Sequence, residues 1–363
     1  MPSILDNIGH TPLVEITRLN PNPNVTLLAK LEYFNPSGSV KDRIAKSMIE
    51  AGEASGALTP DKIVLEATSG NTGIGLALVC AVKGYRLLLT MSESASIERR
   101  KILQAMGAEI RLTPDHLGTD GAIEEAYRLA REQPESYFIT DQFNSEANWR
   151  AHYNGTGPEI WEQTAGKITA LIATMGTTGT LMGLSRRLKE YNPEIRIVGV
   201  EPYLGHKIQG LKNMKESYQP EIYEKDRIDK KLNIDDEAAF EMSRRLAREE
   251  GIFAGMSAGA AMAGAVQEVR SMSDGVVVVV LPDGGERYLS TPLFAIQEET
   301  NLRLYNPLTR SKEPFAPLQS GKVSIYSSGP TAHDRIHVGE CRRFVIADLV
   351  RRYLESKEFA VTH

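Results

Sequence analysis

Apolar runs and amphipathic stretches take turns along most of this chain. Residues 40–51 carry apolar side chains at helical spacing, and IVLEA at 63–67 reads as a strand. The order then repeats with a helix at 72–84, a strand at 86–90, a helix at 96–107, a strand at 109–113, a helix at 121–133 and a strand at 136–140. Gly84 and Gly107 fall where helix C-caps are wanted. A second series places helices at 152–164, 178–193, 236–251 and 257–269, and strands at 168–174, 195–202 and 275–282. The last of these, GVVVVVLP, has the length of a fully buried strand. Residues 203–234 are charged and poorly periodic. Short β-branched runs alternating with longer helical patterns predict βαβ units. The expected fold class is α/β, with two parallel or mostly parallel three-layer αβα domains and the active site in the cleft between them. Parallel sheets hold their ligands beyond the carboxyl ends of the strands.

Composition narrows the class of protein. The chain has 363 residues, 41% of them hydrophobic and 25% charged, and a net charge of −5. That balance argues against nucleic acid or an anionic membrane as the main partner. The two cysteines, Cys80 and Cys341, make no disulfide framework and suit a reducing compartment. No apolar run reaches the roughly 18 residues of a membrane span, and MPSILDNIGHTPLVEI has no secretory pattern. A cytoplasmic enzyme or binding protein is the expectation.

Four short stretches carry chemistry. EATSGNTG at 66–73 leaves a strand and opens a helix, with Thr68, Ser69, Asn71 and Thr72 around a glycine. It is either a capped βα loop or a loop that presents amides and hydroxyls to an anion. ATMGTTGTLMG at 173–183 repeats the arrangement, with Gly176, Thr177, Thr178, Gly179 and Thr180 between strand and helix. It is neither G-x-G-x-x-G nor a Walker A loop, so a phosphate monoester on a cofactor smaller than a nucleotide suits it better. AGMSAGA at 254–260 matches G-x-S-x-G, but a helix rather than a strand precedes it. Ser257 is therefore expected to cap the next helix with its hydroxyl toward the cleft. NPSGSVKDR at 35–43 sets Lys41 at a helix start, where exposed amides disfavour a cation. A phosphate anchor, a hydroxyl-rich loop and an amine together meet the needs of pyridoxal 5'-phosphate.

With these motifs the chain resembles the cysteine synthase family, the O-acetylserine sulfhydrylases of the pyridoxal-phosphate fold-type II class, and in particular the B-type isozyme. IGHTPLV at 8–14, NPSGSVKDR, EATSGNTG, DQFN at 141–144, TGPEIW at 156–161, MGTTGT at 175–180 and PDGGERYLS at 282–290 carry the resemblance. It implies that Lys41 is the Schiff-base lysine and the base for the α-proton, and that Asn71 bonds the cofactor's ring hydroxyl. Thr68, Ser69, Asn71, Thr72 and Gln142 would hold the substrate carboxylate. Gly176, Thr177, Thr178, Gly179 and Thr180 would hold the phosphate, and Ser257 would face the pyridine nitrogen. The implied reaction is β-replacement, from O-acetyl-L-serine and sulfide to L-cysteine and acetate, in a homodimer. A large domain of 1–40 plus 146–302 and a mobile small domain of 41–145 are expected. Two departures bear on the sulfur donor. Leu211, Lys212 and Asn213 stand where B-type members that take larger donors can have adjacent arginines, and Leu281 stands where one can have Cys. Lys212 is expected to favour anionic donors such as thiosulfate. An O-phosphoserine- or thiosulfate-using enzyme and a cystathionine β-synthase use the same residues and stay open, as does a non-catalytic binding paralogue, against which Lys41 and the cofactor-contacting positions count.

Residues 303–363 depart from that pattern. They resemble the first strand and helix of a cysteinyl-tRNA synthetase catalytic domain, with HVGE at 337–340 in place of its nucleotide signature and Ser328 where it usually has a zinc-binding Cys. Synthetase activity is not expected from a fragment of this size. His333, His337 and Cys341 fall four apart, but Gly329, Pro330 and Gly339 predict a loop there, so no metal site is expected.

Overall fold

Val64 and Leu65 point to opposite faces of one strand and both are buried, so that strand needs a layer on each side. The same holds for Val277, Val278, Val279 and Val280 of the 275–282 run. The computed structural model supplies those layers, and it describes residues 2–68, 70–93, 95, 97–216, 218–294, 302–318, 321–327, 338–357 and 359–363.

Residues 1–288 form one compact unit containing two sheets. In chain order its elements are β1 (Leu13–Glu15), β2 (Val25–Leu31), α1 (Lys41–Ser55), β3 (Ile63–Ala67), α2 (Asn71–Lys83), β4 (Arg86–Ser92), α3 (Ile97–Ala105), β5 (Glu109–Thr113), α4 (Gly118–Glu132) and β6 (Tyr137–Ile139). There follow α5 (Glu146–Ala151), α6 (Gly157–Gln163), β7 (Ala170–Thr174), α7 (Gly179–Tyr191), β8 (Arg196–Pro202), β9 (Lys230–Ile234), α8 (Asp236–Glu250), α9 (Met256–Val269) and β10 (Gly275–Leu281). The smaller sheet runs β5-β4-β3-β6, all parallel. Val64, Leu87 and Leu89 pack with Ile44, Met48 and Leu76 of α1 and α2 on one face. Leu65 and Ala67 pack with Ile123, Ala126 and Leu129 of α4 on the other. The larger sheet runs β1-β2-β10-β7-β8-β9, parallel except for β1. Leu171, Val278 and Val280 join Leu181, Leu184 and Leu188 of α7 on one face, and α9 covers the other against β7 and β10.

The α/β class is as expected, and Gly84 and Gly107 take the left-handed backbone of helix C-caps. Three expectations need correction. The helix foreseen at 152–164 is interrupted by a π turn at His152–Thr156, which separates α5 from α6. The stretch 203–234 contains β9, whose polar residues Lys230 and Lys231 hid it. Two strands, β1 and β2, precede the first one foreseen.

A buried ionic cluster fixes where α1 begins. Arg43 holds Glu159 of α6 with two nitrogens at 2.7 and 2.8 Å, and Glu32 at 2.7 Å. Lys30 of β2 reaches Glu159 and the Thr11 carbonyl, each at 2.7 Å. Burial lowers the pKa of Lys30, while Glu159 is held well below the usual carboxylate range by its two cations despite its burial. Breaking one partner out of such a buried cluster costs about 3–5 kcal/mol, so the helix start is stiffly placed.

Residues 289–363 form a second unit. It has a hairpin, β11 (Arg303–Asn306) with β12 (Ser311–Pro314), and a parallel pair, β13 (Lys322–Ser324) with β14 (Ala360–Thr362), joined through α10 (Val338–Glu355). Gly339, expected in a loop, lies inside α10. Ser328, His333 and His337 lie outside the described residues. Among the described residues no helix is long and apolar enough to cross a membrane.

Candidate active site

Each polar residue of NPSGSVKDR has work in the turn before α1. Asn35 Oδ1 accepts from the Gly9 amide at 2.8 Å, and Asp42 accepts from the Ser37 amide at 2.6 Å. Ser39 Oγ accepts from the Lys41 amide at 3.2 Å. Lys41 stands at the first position of α1, half-buried. Desolvation beside the amide-rich helix start pushes its ammonium down to about 8, with the Asp283 carboxylate pulling the other way.

Three further loops converge on it. The Val40 amide donates to the Pro282 carbonyl at 2.8 Å, and the Gly255 amide to the Asp283 carbonyl at 3.1 Å. These bonds tie the Lys41 turn, the PDGG loop after β10 and the start of α9 together. The result is a narrow cavity of about 40 Å³ lined by Lys41, Asn71, Ser257 and the Gly176–Thr180 loop. It shares Lys41, Asn71 and Thr177 as lining residues with a cleft of about 810 Å³ that Thr68, Thr72, Gln142 and Lys212 also line. Ser69 lies outside the described residues. Ser257 is not the helix cap foreseen: Gly255 holds that place, and Ser257 sits in the first turn of α9, buried and facing the narrow cavity.

The Gly176–Thr180 loop has the form of an anion cradle. Thr178 holds a left-handed backbone, φ 65°, at the start of α7, and the first amides of that helix have no acceptor within it. Its buried Oγ1 has no hydrogen-bond partner among the described residues. A side chain at Gly179 would run into Asn148. Asn148 in turn donates to Thr177 Oγ1 at 3.1 Å and to the Gln142 carbonyl at 2.6 Å, linking the cradle to the loop after β6. His152, from the π turn, reaches Thr180 Oγ1 at 3.2 Å with Nε2 and Thr156 Oγ1 at 3.0 Å with Nδ1. Burial, with Arg43 and Lys41 nearby, keeps its imidazole neutral. An unsatisfied buried hydroxyl, free helix amides and an amine of lowered pKa fit a phosphate-bearing aldehyde cofactor.

The sequence profile of the pyridoxal-phosphate dependent enzymes matches residues 4–283. Cysteine synthase B of Pseudomonas aeruginosa is 45% identical over 293 residues, covering 81% of this chain and 97% of that protein. The chain belongs to the cysteine synthase family. A crystal structure of cysteine synthase from Entamoeba histolytica matches this family member with a TM-score of 0.78 at 38% identity, covering 83% of this chain and 92% of that one. A structure of O-ureido-L-serine synthase matches with a TM-score of 0.78 at 41% identity, covering 83% and 98%. Residues 314–363 match a separate profile, that of the class I (C) tRNA synthetase catalytic domain.

Several buried polar residues beside the site of this cysteine synthase family member escape sequence reasoning. Asp283 is fully buried; its Oδ2 accepts from Asn71 Nδ2 at 2.7 Å and from the Tyr288 hydroxyl at 2.5 Å. Arg287 donates to Asn71 Oδ1 and, at 2.7 Å, to the Ser37 carbonyl. These three stand in PDGGERYLS, a motif that marks the family without saying which residue does what. Glu66 is buried and pushed up to about 7 by that burial, against the Thr140 hydroxyl at 2.6 Å and the Gln142 amide at 3.1 Å. Gln142 Oε1 accepts from Thr72 at 2.7 Å. Glu66 opens the EATSGNTG motif, and only its burial distinguishes it.

Proposed function

We propose that this chain is a cysteine synthase that replaces the acetate of O-acetyl-L-serine with sulfide, giving L-cysteine. The observation that carries the reading is the Lys41 amine, lowered to about 8 by burial, opening on one cavity with Gly176–Thr180, Asn71 and Ser257. The phosphate of pyridoxal 5'-phosphate would lie on the amides and hydroxyls of residues 176–180, where the α7 dipole favours negative charge. Lys41 Nζ would hold the cofactor's aldehyde carbon, Asn71 would bond the ring hydroxyl, and Ser257 would face the pyridine nitrogen. When bound, the cofactor withdraws electrons from the substrate Cα, which acidifies the α-proton and lets the β-substituent leave. A hydroxyl at the ring nitrogen, unlike a carboxylate, does not hold that nitrogen protonated, which favours elimination over transamination. Thr68, Asn71 and Thr72 around the start of α2, with Gln142 beside them, would hold the substrate carboxylate, the role also expected of Ser69 from the motif. Lys41 Nζ would take the α-proton as acetate leaves Cβ, and would return it to Cα after sulfide has bonded to Cβ. The enzyme is read as a cytoplasmic homodimer.

A donor-by-acceptor matrix tests this reading, with O-acetylserine and O-phosphoserine against sulfide, thiosulfate and homocysteine. O-acetylserine with sulfide should give the highest kcat/KM. Lys41→Ala should lose nearly all turnover and the visible absorbance of the bound cofactor. Cysteine formation by Lys41→Ala at the parent rate, or no turnover of any pair by the parent, sinks the proposal.

A further inference from the structure

The wall of the wide cleft contains an acid that no step above uses. After β8 the chain turns back toward the cleft, pinned at both strand ends: the Lys212 amide donates to the Met175 carbonyl at 2.9 Å, and Asn213 Nδ2 to the Pro202 carbonyl at 2.7 Å. Glu216 closes that turn. Its Oε1 accepts from the Asn213 amide at 3.0 Å and its own amide donates to the Asn213 carbonyl at 3.0 Å. Its Oε2 lies 3.2 Å from Lys212 Nζ, and its Oε1 lies 3.3 Å from His206 Nε2. His206 Nδ1 accepts from the Ile208 amide at 3.2 Å, which leaves Nε2 to donate toward Glu216. Lys212, His206 and Glu216 all line the cleft. Although burial opposes it, the Asn213 amide and the Lys212 ammonium hold the Glu216 carboxyl below its ordinary range, so the group is a carboxylate at neutral pH.

A doubly negative reactant needs a fixed cation with donors to spare. Here the cation expected to serve it is engaged, and a carboxylate stands beside it. We propose that Glu216 is a specificity-determining residue that withholds Lys212 from dianionic reactants, so that the cleft favours a neutral acetyl ester over a phosphate ester and a small sulfur donor over a dianionic one. This rests on the reading of the cleft as the O-acetylserine site. Two sources share the excluded chemistry, a dianionic donor such as thiosulfate and a dianionic leaving group as in O-phosphoserine.

Glu216→Gln keeps the acceptor for the Asn213 amide and removes the charge. Four holoenzymes decide the matter: parent, Glu216→Gln, Lys212→Met and the double variant. In Glu216→Gln the ratio of kcat/KM for thiosulfate over sulfide, or for O-phosphoserine over O-acetylserine, should rise about tenfold, with calorimetric thiosulfate affinity rising alike. The two ratios tell donor from leaving group, and a rise in either supports the proposal. The gain should vanish in the double variant, because Lys212 supplies it. Lys212→Met alone should move the ratios less than about twofold, since its charge is already met. Ratios and affinity unchanged in Glu216→Gln, or a gain that survives the loss of Lys212, would overturn the assignment. If Glu216→Gln fails to fold, a large fall in thiosulfate use by Lys212→Met overturns it and an unmoved ratio supports it. Absence of O-acetylserine turnover in the parent strikes the functional reading, while thiosulfate affinity still reports on Glu216.

Discussion

Lys41 shows how one residue ties stability to chemistry. Its folded-state pKa of about 8 lies below the ordinary 10.5, so between those values the folded chain binds fewer protons than the unfolded one. Holding the ammonium in place costs stability in full below about pH 8, and the cost fades as the pH rises toward 10.5. Lys41→Met should therefore stabilise the cofactor-free chain near pH 7, by on the order of 1 kcal/mol, with little gain left near pH 10. Thermal melts of both proteins across that range are the check, and a gap independent of pH would mean a solvated amine. Lys41 was readable because a cation at a helix start is locally wrong and asks for a reason. Asp283 and Glu66 were not, since an acid in a sequence looks alike on a surface and in a core. Only the fold tells that Asp283 Oδ1 is buried with no partner among the described residues.

Single elements explain both what was legible and what was hidden. Strands such as β3 match their apolar runs because hydrophobic side chains must be covered on both faces. The π turn at 152–156 left no mark on that pattern, because one extra residue shifts direction without changing composition. Its effect is to bring His152 to Thr180 while α6 delivers Glu159 to Arg43. At the start of α7 the tight point is Gly179, packed against Asn148. Gly179→Ala should push Asn148 off Thr177 and weaken cofactor binding by about tenfold, roughly 1.4 kcal/mol. Equilibrium dialysis of pyridoxal phosphate measures it, and unchanged affinity would mean that α5 yields freely.

For the whole molecule, the residues that line the site all lie within 1–288, the first of the two compact units. A chain ending at residue 302 should keep the visible cofactor spectrum and turn over O-acetylserine within about twofold of the parent. A tenfold loss would assign the second unit a part in catalysis. The placing of α1 has a mechanical side. Its buried residues Ile44, Met48 and Ile49 belong to the core of the smaller sheet, but Arg43 is bolted to Glu32 and Glu159 beside the larger one. Any swing of the smaller sheet that carries α1 must turn about that bolt. At 1.5 Å per residue, Ser55 lies about 18 Å from Arg43 along the helix and Lys41 only about 3 Å. In such a swing the reactive amine would travel about one sixth as far as the helix's other end: it is mounted at the fulcrum of the lever, where its aim would barely change.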